Sequence, residues 1–297
     1  MKPVCRTYDA SVDLEKVGGF LARTYCAAGD HVNWLQPRWE YMHYHPSIEE
    51  VELDRIGIWE EDGEIVGVVH PEHSMGTAYF EIDSRFEELK PEMLAYAEKN
   101  LSVARVGTGE LEIFINDRDV NFQSLAAARG YLRTGRSQAM SRFVIPHPFP
   151  KIPLPHGFRL KSLAEDNDLR KLNRLIFRGF DHGAEPPDSG DTVRRFMQSA
   201  PNYRRELNVV VESRGGDFVS YCGMWFEAVN RVAYVEPVCT DPDYRRRGLA
   251  SAAVLEGIRR CGELGAKSAY VGAITLLYLC LGFRQTHTSS VWRKQWR

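Results

Sequence analysis

Five prolines fall within twelve residues, "PHPFPKIPLPHG", from Pro146 to Gly157. Each one fixes φ and removes a backbone donor, so neither a helix nor a central strand can run through this stretch. A chain of 297 residues interrupted near its middle must build two structures, one on each side. The expected boundaries are 1–147 for a first domain, 148–157 for a semi-rigid linker and 158–297 for a second domain. With 43% hydrophobic and 26% charged residues, each side has apolar mass for a core of ordinary size.

The two sides repeat one order of elements. Each opens on a helical stretch, "SVDLEKVGGFLARTYCAA" and "EDNDLRKLNRLIFRGF". A β pair follows, turning at Asp62-Gly63 in the first half and at Gly215-Gly216 in the second. Next comes a strand feeding a helix: "GTAYFEID" into "PEMLAYAEKNL", and "RVAYVEPVCT" into "GLASAAVLEGIRRC". Each half closes with strand, short helix and strand. In both, the short helix ends on glycine followed by an aromatic residue, Gly130-Tyr131 and Gly282-Phe283, as a glycine C-cap would. Strands alternating with helices imply a layered α/β fold in each half.

Composition removes several function classes. The six cysteines (Cys5, Cys26, Cys222, Cys239, Cys261, Cys280) form no C-x-x-C pair, so they read as free, mostly buried thiols rather than a disulfide framework or zinc site. No apolar run approaches the length of a membrane span, and the N-terminus lacks a signal-peptide core. A cytoplasmic protein without membrane contact is expected. Net charge is −2, which argues against a nucleic-acid partner. That balance hides an asymmetry: residues 1–147 carry 15 basic and 24 acidic side chains, residues 148–297 carry 23 and 16. A basic second half can attract a small anion.

The chemistry concentrates in "RVAYVEPVCTDPDYRRRGLA". Alternation places Tyr234, Glu236 and Val238 on one strand face. Pro237 cannot donate to a ladder, so a bulge or splay is expected between Glu236 and Val238, leaving backbone of Val238, Cys239 and Thr240 available. Three arginines, Arg245, Arg246 and Arg247, then precede Gly248. Glycine permits close backbone approach, and the following helix aims its free N–H groups and positive dipole end at the turn. Val254, Leu255, Ile258 and Cys261 give that helix its apolar stripe. Such a turn suits a phosphate or diphosphate. It lacks the Lys-Ser/Thr of a P-loop, which disfavours a nucleotide-triphosphate site.

Taken with the strand, the proline, the amphipathic helix and Tyr278 four residues before Gly282-Phe283, "VEPVCTDPDYRRRGLA" and "LYLCLGF" resemble the GNAT superfamily of acyl-CoA-dependent N-acetyltransferases. The resemblance to active members spans Gly157–Arg297. The first half is similar to a second, degenerate copy, so the whole resembles bacterial tandem-GNAT proteins. The resemblance implies an α/β (α+β) protein of two tandem domains, each a mixed, mostly antiparallel sheet flanked by helices. It implies acetyl-CoA as co-substrate without a metal, and a primary amine of a small molecule or peptide as acceptor; it leaves a homodimer open. It further implies that Val238, Cys239 and Thr240 hold the pantetheine arm as an added strand. The amides from Arg245 through Arg246, Arg247, Gly248, Leu249 and Ala250, with Ser251, would hold the diphosphate. Tyr278 would protonate the departing thiolate, and Glu236 would serve as base. The alternative is a non-catalytic acyl-CoA-binding or regulatory protein. The sequence departs from a common family pattern in "YVGAITLLY", which has no asparagine ahead of the tyrosine.

The first half serves as an internal control. Its turn, "DSRFEELKPEML", has no glycine, carries Arg85, Glu87 and Glu88, and starts its helix with Pro91. Carboxylates repel a diphosphate. Ala126 stands where the second half has Tyr278, so no acyl-CoA is expected there. His43 and His45, read as sharing a strand face, with His70 and His73 lack a persuasive third metal ligand. Trp34, Trp39, Tyr41 and Tyr44 read as core. Asp181, His182 and Glu185 sit in a Pro/Gly loop that could border an amine acceptor or simply be flexible.

Overall fold

The computed structural model describes residues 2–25, 33–105, 107–187 and 190–297. Cys26, the end of the first expected helix, and Asp188 and Ser189 of the Pro/Gly loop lie outside the described residues. The chain divides into two compact units, residues 1–140 with 285–297 and residues 141–284.

In the first unit, β1 (Val4–Thr7) leads into α1 (Ala10–Arg23) and α2 (Gln36–Tyr44). Then follow β2 (Gly57–Glu61), β3 (Glu64–His70), β4 (Thr77–Ile82), α3 (Lys90–Asn100), β5 (Val103–Arg105), β6 (Thr108–Asn116), α4 (Val120–Ala128) and β7 (Leu132–Val144). Asp62 and Gly63 both take positive φ, the geometry that closes a two-residue hairpin between β2 and β3. The second unit continues with β8 (Arg159–Ser162), α5 (Leu169–Gly179), α6 (Gly190–Met197), β9 (Val209–Glu212), β10 (Phe218–Glu227) and β11 (Val232–Thr240). It ends in α7 (Leu249–Glu263), β12 (Ser268–Val271), α8 (Leu276–Leu281) and β13 (Arg284–Trp296).

Each sheet is antiparallel except for one pair. In the second unit the order runs β8, β9, β10, β11, β12 and then Ser141–Val144 of β7, with only β11 and β12 parallel. In the first it runs β1, β2, β3, β4, β6 and then Ser289–Trp296 of β13, with β4 and β6 parallel and β5 also on β6. The units therefore exchange their closing strands. The expected boundaries, 1–147 and 158–297, differ from these units at both places, because β7 ends in the second sheet and β13 ends in the first. Ser141 Oγ to the Ala273 carbonyl (2.8 Å) and Arg142 Nε to Ser268 Oγ (2.8 Å) fasten the end of β7 in its sheet.

Covering both sheet faces explains the sequence of the central strands. In β9, Val209 and Val211 face a core with α7, whereas Val210 faces one with α5. The period-two alternation sends neighbours to opposite faces, so a run of valines is buried throughout. α5 starts at Asp168, whose carboxylate accepts from the Arg170 and Lys171 N–H groups, and it buries Leu172, Leu175 and Ile176. α7 buries Leu249, Ala253, Val254, Ile258 and Cys261 on the other face. Each large aliphatic side chain so buried contributes roughly 1.5–3 kcal/mol. The proline-rich stretch forms no helix or strand, but it is not a bare spacer: Phe149, Leu154 and Phe158 pack on the α7 core.

Trp34, Trp39 and Tyr41 are buried core residues, as read, whereas Tyr44 is only half-buried. His43 and His45 do not share a strand face; His43 is in α2 and His45 is its C-cap. His43 is buried between the Tyr8 hydroxyl (2.9 Å) and the Trp39 carbonyl (2.9 Å). Among the described residues no group of three or more His, Cys, Asp or Glu could hold a metal ion, and no helix is long and apolar enough to cross a membrane.

Candidate functional site

β11 and β12 pair only from Val232 opposite Ser268 to Tyr234 opposite Tyr270. Beyond that point no described strand pairs with this edge of β11. On its other edge, the register against β10 shifts between Cys222 and Met224, so Gly223 alone faces Glu236 and Pro237. This is the bulge expected at the proline. A Cβ at Gly223 would lie 2.5 Å from the Glu236 carbonyl oxygen, so only glycine fits. Trp225 Nε1 donates to that same oxygen at 3.0 Å. Past the bulge, alternation leaves Glu236, Val238 and Thr240 half-buried while Pro237 and Cys239 are buried. Ser220 Oγ anchors the strand end through the Cys239 carbonyl (3.1 Å) and Thr240 Oγ1 (2.8 Å).

The turn after β11 is held by its own charges. Asp241 is buried and caps a short 3-10 turn by accepting from the Asp243 N–H (3.0 Å). Arg178 of α5 reaches Asp241 (2.6 Å) and Asp243 (2.8 Å). Burial pushes the Asp241 carboxyl up, but Arg178 and the Asp243 N–H outweigh it, so the group sits below the ordinary range. Arg245 donates to the Thr240 carbonyl (3.2 Å), the Gly179 carbonyl (3.0 Å) and Asp181 (2.9 Å). Arg247 donates to the Asp243 carbonyl (3.1 Å) and lies over the Tyr244 ring. Two of the three arginine side chains thus build the turn rather than stand free in it.

What the turn leaves open is backbone. Arg246 and Gly248 both take positive φ, and Gly248 occupies the N-cap of α7 without a side-chain cap. From Arg246 to Ser251, no described residue accepts the backbone N–H. A Cβ on Gly248 would meet nothing within 4 Å, so the space beside it is bare. Together these groups form an uncapped, positively polarised helix start.

The cleft that joins the two features encloses about 630 Å³. Val238, Cys239 and Thr240 form one wall; Arg245, Arg246, Gly248, Leu249, Ala250 and Ser251 form the second. The structure therefore brings together every expected cofactor-binding residue except Arg247, which lies along an adjoining cavity. The third wall, Leu276, Leu277 and Cys280 of α8, was not expected, and neither was Gly179. Gly179 has a physical signal: a Cβ there would lie 2.8 Å from that of Cys239.

Tyr278 is placed differently. It is 8% exposed, packs edge-on to Phe283 at 5.3 Å within the α7 core, and does not line the cleft. Burial pushes its phenol well up, and Cys222 and Glu236 add to the shift, so it is a neutral O–H at physiological pH. The Cys239 thiol is pushed up to about 12 by burial, which makes it a poor nucleophile despite its place in the wall. Cys222 and Cys261 are likewise buried and free, whereas Cys280 is free and exposed. Asp181 and Glu185 of the Pro/Gly loop pair with Arg245 and Arg174.

The first unit repeats the parting of its parallel strand pair, with different contents around it. β4 and β6 pair only at Thr77–Glu112 and Ala78–Ile113 before parting. The α3 start carries Pro91, and Lys90 pairs with Glu87 and with Asp119 (2.6 Å). The equivalence of the short helices is direct: Tyr131 N–H donates to Ala126 O (3.0 Å), and Phe283 N–H donates to Tyr278 O (3.0 Å). Ala126 therefore occupies the position of Tyr278.

Residues 169–277 match the family described as the acetyltransferase (GNAT) family. Among solved structures, the chain is similar to a GCN5-related N-acetyltransferase from Sphaerobacter thermophilus, at 17% identity and TM-score 0.67, over 99% of this chain and 95% of that one. It is similar to a tandem GNAT protein from the clavulanic acid biosynthesis pathway, at 15% identity and TM-score 0.67, over 99% and 98% of the two chains. An acetyltransferase of the GNAT family from Colwellia psychrerythraea aligns at 11% identity and TM-score 0.59, over 99% and 100%. A search of curated protein sequences finds no significant match. Residues 169–277 thus match the GNAT acetyltransferase family, and over its whole length the chain has the fold of GNAT structures. Its architecture is more particular: two GNAT-like folds in tandem, of which the second carries the family match.

Proposed function

We propose that the second unit binds acetyl-CoA and moves its acetyl group to a primary amine of a small molecule or peptide. The observation that carries this reading is the row of N–H groups from Arg246 to Ser251 without a protein acceptor, opening on the same cleft as the unpaired edge of β11. A diphosphate supplies the acceptors those groups lack, and a pantetheine arm supplies the strand that β11 lacks.

Acetyl-CoA supplies the activated thioester. The chain's own residues do the rest. Val238, Cys239 and Thr240 align the arm, and backbone N–H near Val238 stabilises negative charge on the carbonyl oxygen. Glu236, half-buried beside the bulge, takes a proton from the ammonium directly or through water. The amine nitrogen then forms the C–N bond at the carbonyl carbon, the C–S bond breaks as that adduct collapses, and Tyr278 gives the leaving sulfur a proton; the second nitrogen proton leaves to water, from which the tyrosinate is reprotonated, and Glu236 releases its proton to solvent. Holding both reactants in one cleft supplies a further large share of the rate.

The placement of Tyr278 behind the cleft wall favours one competing reading, a non-catalytic acyl-CoA binder. Tyr278→Phe and Glu236→Gln separate the two when thiol release and calorimetric CoA affinity are measured together. Each variant is expected to lower kcat by roughly 10²-fold while leaving CoA affinity within about twofold. Wild-type protein that binds CoA yet releases no thiol across a broad amine panel establishes the binder. Wild-type protein that ignores CoA removes both readings.

A further inference from the structure

The proline-rich stretch lines a second cavity of about 1000 Å³ beside the start of α7. This cavity shares Gly248, Ser251 and Cys280 with the cleft already described, so the two form one groove passing on both sides of the helix start. Its floor is apolar: Ala252 and Leu255 of α7 face Pro153 and Leu154. Its edges are cationic. Lys151 is exposed, and no described carboxylate pairs with it. Arg247 bonds a carbonyl and a ring face, again with no carboxylate partner.

An apolar floor flanked by two uncompensated cations fits a flat heterocycle carrying a phosphate. The only part of coenzyme A left over, once pantetheine and diphosphate occupy the first cleft, is adenosine 3′-phosphate. We infer that the proline-rich segment is a nucleotide-binding strap, with Lys151 and Arg247 taking the 3′-phosphate and Pro153, Leu154 and Leu255 receiving the adenine. This rests on the acyl-CoA reading above. Prolines suit the task, since a segment with fixed φ loses little entropy when a ligand lies against it. A 3′-phosphate brings close to two negative charges at neutral pH, which two cations without a described carboxylate partner offset.

Isothermal titration of the full chain with CoA and with 3′-dephospho-CoA tests the assignment. Wild-type protein is expected to prefer CoA by about tenfold. Lys151→Ala should bring that preference close to parity with dephospho-CoA affinity unchanged, and Lys151→Arg should restore it. Equal wild-type affinity for the two ligands overturns the strap while leaving the acyl-CoA site standing. So does a Lys151→Ala variant that keeps the full preference or weakens both ligands alike. Failure of both ligands to bind wild-type protein overturns the acyl-CoA reading itself, and the strap with it.

Discussion

The two units put the same strand-turn-helix piece to opposite uses. After β11 the turn uses Arg178, Asp241 and Arg245 to hold itself together and leaves its N–H groups without an acceptor among the described residues. After β4 the turn fills the corresponding place with side chains: Lys90 sits on Glu87 and Asp119, and Pro91 removes a donor outright. One turn leaves backbone donors without acceptors among the described residues; the other fills the place with its own ions. The comparison teaches that basic residues near a turn do not by themselves mark an anion site. Arg245 and Arg247 are largely committed to carbonyls. What distinguishes the second unit is unsatisfied backbone, and Gly248 is the residue that keeps it reachable.

The sharpest way to break the comparison is to give the second turn the chemistry of the first. Gly248→Glu places a carboxylate where the space beside the turn is open and forces a side chain into positive φ. The strain costs about 1 kcal/mol and the charge repels the diphosphate directly. CoA affinity by calorimetry is expected to fall by at least roughly 100-fold, with the urea midpoint little changed. Retained affinity would mean that the cofactor does not use this turn.

A second difference is in the cores. The first unit buries His43, whereas His147, His156 and His182 of the second unit are exposed. Burial lowers the His43 pKa to about 4, with a smaller contribution from His70, against the Trp39 carbonyl bond that raises it. The unfolded chain takes up this proton near pH 6.5, so between 6.5 and 4 it binds a proton that the folded state refuses. This contribution is complete above pH 6.5 and is lost as pH falls toward 4; it is on the order of 3 kcal/mol. Urea midpoints at pH 7.5 and 5.0 should differ less in His43→Gln than in wild type. An identical pH difference in the two proteins would show that His43 is not the group responsible.

Much of this was legible in the sequence, and the exceptions have physical causes. Local signals held where chemistry is local: Asp62-Gly63 closed a hairpin, Gly130 and Gly282 took the left-handed geometry after their helices, and Pro237 produced its bulge. α2 escaped because its residues from Pro37 to His43 are buried all round, so no apolar stripe marks a helix. The exchange of β7 and β13 escaped because alternation specifies a strand but not its partner. The third wall of the cleft escaped because the face that α8 turns to the core, with Tyr278, is set by packing against Phe283. The cleft face is left to Leu276, Leu277 and Cys280, types that carry no mark of a site.

The smallest expected effect sharpens the comparison from the other side. Lys90→Met keeps the length of the side chain and removes its charge. Lys90 is 7% exposed, so its carboxylate partners lose a close cation, though Glu87 and Asp119 still reach water. That cost should be about 1–2 kcal/mol, below the figure for a fully buried pair, and readable as a lower urea midpoint. CoA should still bind at one site per chain with unchanged affinity, because Glu87 remains to repel a diphosphate and Pro91 still withholds its donor. A second site appearing by calorimetry would show that the lysine plug alone keeps the cofactor out of the first unit. One site with lowered stability would show that closure is written into the whole turn.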